Sequence, residues 1–402
     1  MSTHETVHKV PTPTHHYTLI RDPAGAYLGV DDDGARKLYD YVDDHAIWDR
    51  DGDSVRHVVS GQTLTVTGDA ASVTLGCTGE SPGDDAGTEG NAVSFELVHG
   101  PEKMPSDYLG FFRENGWVCL TSVLAPETVE ELERISCTDR YEDRKYDGSK
   151  HPLNQSWAVG RTAAEPVSLW LMRMYMGTSE VRLGHPPSLA ILGQDDGKRD
   201  VQGWHSDFPY LWGFAGNKPY GRVPTSSGNT VLGIQRNVCI SPFTREGGAT
   251  AFKLGSHVHD QGPPAEWGTG FQYGQPGHRA KHGLPYNGPD ADILEAPGGS
   301  IILYDSRTWH RAGVNQTKKR RSAMLQAMVP GYVMPFFDTS GTWKGYVGSD
   351  AYNALTDLER QEMERLMVHY INGPGGAHAI TVDEDLSEAI RPQVAQRRYY
   401  DS

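Results

Sequence analysis

The sequence predicts a mainly β protein with flanking helices. It contains 46 glycines and 25 prolines among 402 residues, which places turns at short intervals along the chain. Short strand-like runs bounded by glycine, proline and aspartate fill residues 17–99 and recur from about residue 186 to residue 333. Three other stretches carry apolar residues at helical spacing. We therefore expect two β-rich regions, with helices between them and after them.

The first β-rich region is predicted to be a small unit of its own. Its runs AYLGV, VRHVVSG, QTLTVTG and AVSFEL are separated by glycine and aspartate at turn positions. The pattern changes at Pro105, where helical spacing begins. We therefore divide the chain into an N-terminal accessory β-rich unit, residues 1–100, and a second domain, residues 101–402. Within the second domain we expect core motifs at 186–335 and a helical tail at 351–402.

The three helical stretches have recognisable ends or faces. PSDYLGFFRENG offers Ser106 as the N-cap and Gly116 as the stop, and APETVEELERISC is rich in glutamate in its early turns. The third stretch, LTDLERQEMERLMVHYI, is strongly amphipathic. Five of its apolar side chains share one side of the predicted helix: Leu358, Met363, Leu366, Met367 and Tyr370.

Charge and cysteine content exclude several classes of protein. The 37 Lys and Arg residues against 52 Asp and Glu give a net charge of −15, which disfavours binding to nucleic acid and to anionic membranes. Four widely spaced cysteines without a CxxC pair indicate neither a disulfide scaffold nor a cysteine zinc site. The first twenty residues lack a signal-peptide pattern, and no stretch approaches 18 apolar residues. We expect a cytoplasmic protein with a small-molecule substrate, and the sequence predicts no oligomeric state.

The first candidate site residues are His205 and Asp207 in the segment QGWHSDFPYLW. Because the segment reads as extended, their spacing of two puts both side chains on one face of a strand. An imidazole beside a carboxylate supplies two thirds of the 2-His-1-carboxylate triad that binds non-haem Fe(II). A lone HxD pair is weak evidence, since a surface histidine beside a solvated aspartate is far commoner.

A second segment supplies the missing ligand. In GGSIILYDSRTWHRAGVNQTKKRRSAMLQAMVPGY, His310 lies in a turn between two predicted strands, 105 residues after His205. Such a separation suits a barrel whose ligands come from strands that are distant in sequence. Arg321 follows eleven positions after His310, and its guanidinium can bind the far carboxylate of 2-oxoglutarate through two hydrogen bonds.

These motifs resemble the phytanoyl-CoA dioxygenase family of Fe(II)/2-oxoglutarate oxygenases. The resemblance covers roughly residues 105–335, and includes SPFTREGGATAFKLGSHVHD, with its PGSH-like turn at Leu254 to His257, and APGGSIILYDSRTWH. HSDFPYLW is also similar to the corresponding segment of ectoine hydroxylases. The resemblance implies a double-stranded β-helix, a jelly-roll barrel of the cupin type, with the iron inside one mouth.

Carried over to this chain, the resemblance implies a role for each residue. His205, Asp207 and His310 would be the iron ligands, Arg321 would anchor 2-oxoglutarate, and Trp212 matches an aromatic near the co-substrate pocket. The implied cofactors are Fe(II), 2-oxoglutarate as co-substrate, and O₂.

The chain departs from the family after its second histidine. Many relatives have Gly and then Ser there, whereas this chain has Arg311 and Ala312, so a hydroxyl contact to 2-oxoglutarate is in doubt. We expect Arg311 to be an exposed loop residue, with a substrate contact as the alternative.

The implied reaction is hydroxylation of an unactivated C–H bond of a small metabolite, with release of succinate and CO₂. Asp207 favours oxygen transfer, because related halogenases replace this carboxylate with glycine or alanine to admit chloride. Desaturation, cyclisation or epimerisation of a natural-product intermediate would use the same cofactors and remains an alternative. A catalytically dead barrel that acts as a binding protein is the non-enzymatic alternative, and the complete triad argues against it.

Other histidines and aromatic residues are assigned to structural roles or left open. His257 and His259 are expected in a structural turn, and QPGHRAKHGLP, which contains His278 and His282, is predicted to be a loop rather than a zinc-binding helix. This loop, residues 260–291, also carries three aromatic side chains that could line a substrate pocket or simply pack the loop down: Trp267, Phe271 and Tyr273.

Strand alternation separates Arg321 from its neighbour Arg320. The residues at alternate positions from Arg321 to Val329 are more uniformly apolar than those starting at Arg320, so the first set is predicted to face the barrel interior. A guanidinium there needs an anion to meet it. The alternative is that Arg321 pairs with an internal carboxylate of the protein.

Overall fold

The computed structural model describes most of the chain. The described residues are 5–66, 73–74, 94–141, 143–207, 230–259, 262–264, 267, 278–284, 290–333, 335, 337, 339–368, 370–373 and 376–379. No helix within these ranges is long and apolar enough to cross a membrane.

The strands among the described residues are numbered in chain order. They are β1 (Glu5–Lys9), β2 (Thr18–Arg21), β3 (Tyr27–Val30), β4 (Arg36–Tyr39), β5 (Trp48–Asp51), β6 (Ser54–His57), β7 (Thr63–Thr65), β8 (Val73–Thr74), β9 (Ser94–His99), β10 (Trp117–Leu120), β11 (Val181–Leu183), β12 (Ser188–Leu192), β13 (Ile234–Cys239), β14 (Ala251–Lys253), β15 (Ala291–Glu295), β16 (Ser300–Asp305), β17 (Trp309–Arg311), β18 (Arg321–Pro330), β19 (Tyr370–Gly373) and β20 (Gly376–Ala379).

The helices are numbered in the same way. They are α1 (Pro105–Asn115), α2 (Pro126–Ser136), α3 (Pro152–Gln155), α4 (Trp157–Ala163), α5 (Pro166–Met176), α6 (His278–His282), α7 (Ser340–Tyr346), α8 (Asp350–Asn353) and α9 (Asp357–Met367). Three short 3-10 turns are also described: Asp44–Ala46, Asp139–Tyr141 and Ser256–Val258.

Two sheets form the barrel. The larger one has the order β10-β16-β13-β18-β11, with β12 also paired to β18, and its neighbours are all antiparallel. The smaller one has the order β1-β15-β14-β17, and only its β1–β15 pair is parallel among these neighbours. The predicted mainly β fold with a double-stranded β-helix is thus confirmed.

Burial of both faces explains the apolar sequence of the central strands. Every residue of β16 is buried. Ile301 and Leu303 pack in a cluster with the helices, whereas Ile302 and Tyr304 pack in the cluster inside the barrel. A strand covered on both sides reads as a continuous apolar run instead of alternating with polar residues.

A buried arginine joins the larger sheet to the helices behind it. Arg236 of β13 is fully buried and donates to the Gln326 side chain, to the Ser168 hydroxyl and to the carbonyls of Thr162 and Ala163. Burial lowers the pKa of Arg236 to about 10, so the guanidinium stays charged at neutral pH. The two carbonyls lie at the end of α4, where the helix leaves acceptors unpaired.

The N-terminal unit is a separate sheet with its own core. Its strand order is β4-β3-β2-β5-β6-β7, and β9 pairs with β2 and β8. Trp48 is fully buried in this core and donates from Nε1 to the carbonyl of Leu28 at 2.8 Å. The two ends of the unit meet, because Tyr17 N donates to Pro101 O at 2.8 Å and Gly100 N donates to Tyr17 O at 3.0 Å.

The first strand within the predicted unit of residues 1–100 belongs to the barrel and not to the N-terminal sheet. β1 pairs with β15 from Glu5↔Ala291 to Lys9↔Glu295 and therefore lies in the barrel. The separate sheet begins only at Thr18. The segment ETVHK carries no local signal for this placement, because its partner strand lies far along the chain and the pairing is set by tertiary contacts.

The first long helix ends as predicted but begins differently. Gly116 closes α1 in the left-handed conformation, with φ +73, and its N–H donates to Phe112 O at 2.8 Å. The N-cap is Met104 and not Ser106, because Pro105 occupies the first helical turn. The Ser106 N–H instead donates to a carboxylate oxygen of Asp44 in the N-terminal unit, at 2.9 Å.

Two local predictions are wrong. The late helix, α9, ends at Met367, and Tyr370, predicted on its apolar side, lies instead in β19, which pairs with β20. The residues VHYI after the helix are β-branched or aromatic and precede the turn sequence NGPGG, which favours a hairpin. The predicted loop at His278 contains α6 instead. Its residues Arg, Ala and Lys favour helix, and Gly283 ends it with φ +80.

Two glycines of α1 and its cap should respond oppositely to the same substitution. Gly110→Ala adds a methyl group in open space on an exposed helix position and should stabilise the protein by about 0.5–1 kcal/mol. Gly116→Ala should destabilise it by more than about 1 kcal/mol, because φ is positive and the new Cβ would overlap the ring of His257. Urea unfolding of both variants measures the difference, and shifts of the same sign would contradict this account.

Candidate metal centre

The fold brings three distant ligand residues to one mouth of the barrel. His205 and His310 are joined by two backbone hydrogen bonds, each 2.9 Å long, which add the His205 segment to the free side of β17. Ala312 N extends this pairing by donating to Gln202 O at 3.1 Å. Asp207 N donates to Ser306 O at 2.9 Å, so the turn between β16 and β17 fixes the aspartate as well.

The side chains of this triad converge. One ligand atom from each of His205, Asp207 and His310 lies within 4.8 Å of the others. Asp207 Oδ2 is 3.2 Å from His310 Nε2, and Asp207 Oδ1 is 3.6 Å from His205 Nε2. Among the described residues these three are the group of histidine, cysteine and acidic side chains placed to hold a metal ion.

Backbone carbonyls orient both imidazole rings. His205 Nδ1 lies 2.8 Å from Gly203 O, and His310 Nδ1 lies 3.0 Å from Thr308 O. Since a carbonyl only accepts, each Nδ1 carries its proton when the ring is neutral, and each Nε2 is left as the ligand atom. A carbonyl that accepts from the other ring nitrogen in this way fixes the tautomer and the direction of a metal-binding histidine.

The charges of the triad suit a divalent cation. Burial, with the neighbouring His310, lowers the pKa of His205 to about 4, so this ring is neutral at physiological pH. Burial disfavours charge on Asp207, but the two histidines outweigh it and lower the pKa of this carboxyl. Burial likewise opposes the charge on His310, and Asp207 outweighs it, so the pKa of His310 is raised. Two imidazoles and one carboxylate form the donor set of non-haem Fe(II) sites.

Arg321 has the surroundings expected of an anion-binding group. It begins β18, donates from Nη2 to Gly248 O at 2.9 Å, and lies with its guanidinium carbon 4.7 Å from the centre of the Phe243 ring. Its Nε atom is buried and makes no hydrogen bond to any residue that the structure describes. Burial lowers the pKa of Arg321 to about 10, and no carboxylate of the described chain forms an ion pair with it.

The strand register separates Arg321 from Arg320. Arg321 shares a face with Ala323, which packs in the cluster inside the barrel, whereas Met324 of the other face packs in the cluster of the helices. Arg320 lies outside the barrel and donates from Nη1 to Cys137 O at 2.8 Å. Because both faces of β18 are mostly buried, apolar content alone does not show which face turns into the barrel, whereas the alternation of side chains still separates Arg321 from Arg320.

Arg311 is not the exposed loop residue that the sequence predicted. It lies in β17 with 3% of its side chain exposed, and its guanidinium pairs with Glu5 of β1 at 2.9 Å. Because side chains alternate along a strand, Arg311 projects from the face opposite to His310. Its partner comes from the N-terminal strand, whose position in the barrel no local pattern indicated.

The remaining aromatic candidates divide into described and undescribed residues. Trp212, Phe271 and Tyr273 lie outside the described residues. Trp267 packs edge to face against Trp204 at 5.8 Å and against Trp309 at 5.4 Å, between ring centres. These contacts favour the packing role of Trp267 over a role in lining a substrate pocket.

Sequence analysis missed Tyr304 beside the triad. Its hydroxyl oxygen lies 3.5 Å from His310 Nε2, and its ring packs edge to face against the His310 ring at 5.2 Å. Burial raises the pKa of Tyr304 well above its usual value, so the hydroxyl remains a hydrogen-bond donor. The sequence could have indicated this position, because Ile302 and Tyr304 are two residues apart on the strand that leads to His310 and so share one face of it.

The phytanoyl-CoA dioxygenase (PhyH) family matches residues 112–323, which is more than half of the chain. The chain belongs to the phytanoyl-CoA dioxygenase family. It is therefore an Fe(II)- and 2-oxoglutarate-dependent oxygenase, and iron, 2-oxoglutarate and O₂ are its cofactors. The family match begins within α1 and ends within β18, so it includes all three triad residues and Arg321.

Several solved structures are similar to this member of the family. SnoN, an epimerase in complex with Fe³⁺, alpha ketoglutarate and nogalamycin RO, is 17% identical over 56% of this chain and 84% of its own, with a TM-score of 0.39. HygX from Streptomyces hygroscopicus, with nickel and 2-oxoglutarate bound, is 16% identical over 57% and 88%, with a TM-score of 0.41. AviO1 from Streptomyces viridochromogenes Tue57 is 14% identical over 57% and 97%, with a TM-score of 0.38. No protein in the comparison with curated sequences matches this chain.

Single substitutions should separate the triad from nearby histidines. His205→Ala, Asp207→Ala and His310→Ala should each weaken Fe(II) or Co(II) binding by at least about 100-fold, since each removes one of three ligands. The variants should remain folded, because the ligands lie at the barrel mouth and the clusters of the core do not include them.

His259→Ala is the matched control for these variants. His259 is exposed and stacks on the Trp309 ring at 5.0 Å, and it is not part of the triad. Metal titration, with circular dichroism as the measure of folding, checks the set. Wild-type affinity in any triad variant would remove that residue from the proposed ligands.

Proposed function

We propose that this enzyme hydroxylates an unactivated C–H bond of a small metabolite and releases succinate and CO₂. In this proposal His205, Asp207 and His310 hold the iron, and Arg321 anchors 2-oxoglutarate. The observation that carries the proposal is the convergence of His205, Asp207 and His310 in a barrel whose strand β18 begins with an inward-facing arginine. Within the described chain, the Nε of this arginine, Arg321, has no hydrogen-bond partner and its guanidinium forms no ion pair.

The chemistry divides between the cofactors and the protein. When bound, iron and 2-oxoglutarate supply the O₂-dependent oxidation of a C–H bond. The protein supplies the ligands: His205, Asp207 and His310 would hold the iron through two imidazoles and one carboxylate. The carbonyls of Gly203 and Thr308 hold the imidazoles in place, and the Tyr304 hydroxyl is in position to donate a hydrogen bond near His310. Asp207 supplies the carboxylate whose presence favours oxygen transfer.

Arg321 contributes charge and direction. A guanidinium binds a carboxylate through two parallel hydrogen bonds, which fixes the orientation of the bound dicarboxylate. The attraction between this guanidinium and the carboxylate is strong because Arg321 is removed from water, as its lowered pKa indicates. Within the described chain no protein carboxylate competes for it. Gly248 and Phe243 hold the guanidinium in place through one hydrogen bond and one ring contact.

We also propose that residues 18–99 form an accessory unit inserted between β1 and the rest of the barrel. The meeting of Tyr17 with Gly100 and Pro101 supports this boundary, as does the separate core around Trp48. Leu19, Tyr27 and Ile47 nevertheless pack in the main core, so the unit is docked firmly on the helices.

The reaction is tested by coupling two measurements over a panel of small metabolites. We expect substrate-dependent succinate release, and mass spectrometry should detect one ¹⁸O atom from ¹⁸O₂ in the product. A product that has lost two hydrogens or inverted a centre, without ¹⁸O, would instead establish desaturation, cyclisation or epimerisation. If the iron-loaded protein releases no succinate with any metabolite of the panel and does not bind 2-oxoglutarate, the non-catalytic alternative is supported instead.

The role of Arg321 is tested against its neighbour. Arg321→Gln should raise the apparent KM for 2-oxoglutarate by at least about tenfold, equivalent to about 1.4 kcal/mol, because it removes the charge that meets the far carboxylate. Arg320→Gln should change this KM little, because the Arg320 side chain lies outside the barrel. Succinate release at varied 2-oxoglutarate concentration gives both values. A greater effect of the Arg320 variant would refute the assignment.

A further inference from the structure

The N-terminal strand is tied to the strand that carries His310. The smaller sheet runs β1-β15-β14-β17, so Glu5 and Arg311 lie at its two ends. Their side chains nevertheless meet: Arg311 Nη2 donates to Glu5 Oε1 at 2.9 Å. In the register, Ala251 stands directly opposite Arg311, and its small side chain leaves room for the long arginine to cross the sheet.

Glu5 is held from a second direction as well. Arg245 donates from Nε to Glu5 Oε2 at 2.6 Å, so the two carboxylate oxygens serve two different arginines. Burial disfavours the charge on Glu5, but the two guanidinium groups outweigh it and lower the pKa of this carboxyl. Glu5 is therefore ionised and fixed in direction at neutral pH.

Arg311 in turn contacts both histidine segments. It follows His310 directly in β17, and its guanidinium carbon lies 5.5 Å from the ring centre of Trp204, which precedes His205. Trp204 is 1% exposed and belongs to the same cluster of buried residues as Ile302 and Tyr304. The Arg311 side chain thus rests against the outer side of the backbone pairing whose inner side carries both imidazoles.

We propose that Glu5 is a positioning residue for the metal centre, acting through Arg311 on the paired segments of His205 and His310. This inference rests on the proposed iron ligands. β17 is only three residues long, so it makes few backbone hydrogen bonds to its neighbours, and the Arg311–Glu5 contact adds a side-chain tie to it. Without Glu5, a buried guanidinium would lose its carboxylate, and the strand would have to shift to hydrate or re-pair the charge.

This contribution is additional to the family pattern. The match to the family covers residues 112–323, and β1 lies outside it. Arg311, inside the matched range, and Glu5, outside it, are the two halves of one contact. The N-terminal strand thereby becomes part of the catalytic domain in function as well as in topology.

The test is metal affinity of the full-length apoprotein, measured with Co(II) by its visible absorption. Glu5→Gln keeps the size of the side chain and removes its charge, and should weaken Co(II) binding by about tenfold or more and alter the bands of the saturated protein. Arg311→Gln should do the same. If both act through one contact, the double variant should be no weaker than the weaker single variant.

Lys9→Gln is the matched control. Lys9 lies in the same strand and also pairs with the barrel, through Glu295 at 3.7 Å, but it has no contact with Arg311 among these ion pairs. The Lys9→Gln variant should bind Co(II) within about twofold of the wild type, a smaller change than the tenfold weakening expected for Glu5→Gln.

The outcomes separate this inference from the proposed metal site. Wild-type affinity and spectrum in Glu5→Gln, or equal weakening in Lys9→Gln, would overturn the positioning role. If Glu5→Gln does not fold, Glu5→Asp, which keeps the charge and shortens the reach, is judged by the same criteria. Failure of the wild type to bind Co(II), or unchanged binding in His310→Ala, would refute the metal site itself.

Discussion

The candidate centre depends on one pair of backbone hydrogen bonds, those between His205 and His310. Each is 2.9 Å long, and together they join two residues that lie 105 positions apart in the sequence. Directly paired residues of an antiparallel ladder point to the same face, so the pairing alone makes the imidazoles neighbours. The carbonyls of Gly203 and Thr308, two residues before each histidine, then direct the rings. The arrangement of the two imidazoles is thus a property of the backbone pairing.

Three arginines of the barrel strands, Arg236, Arg311 and Arg321, differ in their partners, and these partners distinguish their roles. Arg236 is satisfied by carbonyls, a hydroxyl and an amide, and it joins the sheet to the helices. Arg311 has a protein carboxylate, Glu5, and joins two strands of the smaller sheet. Arg321 has one carbonyl and one ring, and within the described part of the chain its Nε has no acceptor. Since a charge removed from water requires an anion or several acceptors, Arg321 is the one of the three that we propose as the anchor of 2-oxoglutarate.

The sequence could predict the parts of this structure that depend on local pattern or on motif spacing. The mainly β class, the helix that ends at Gly116 and the convergence of His205, Asp207 and His310 all followed from alternation, capping residues and the family resemblance. The face of Arg321 followed from the period of two along a strand. Each of these signals involves residues within a few positions of one another, or a motif with a fixed role.

The predictions that failed were overridden by contacts between distant segments or by neighbouring proline and turn residues. Arg311 looked like a loop residue because its partner, Glu5, lies in β1, whose partner strand β15 is distant in the sequence. Ser106 looked like a helix cap, but Pro105 and the carboxylate of Asp44 set the start of that helix. Tyr370 fitted the helical face, yet the turn sequence after it made a hairpin. In each case a tertiary contact or a turn competed with a local pattern and was stronger.

The placement of β1 shows how a distant pairing can still be specific. Loop-closure entropy grows only slowly with length, by about 0.6 kcal/mol for each doubling, so the long separation between β1 and β15 is a modest obstacle. Specificity then comes from the charges along the strand. In the observed register Glu5 meets Arg311 and Arg245 on one face, while His8 meets Asp292 on the other at 2.8 Å. A shift by one residue would turn Glu5 to the face that carries Asp292 and His310, where it would meet a like charge. The same charges that tie this strand to the candidate metal centre therefore also select its register.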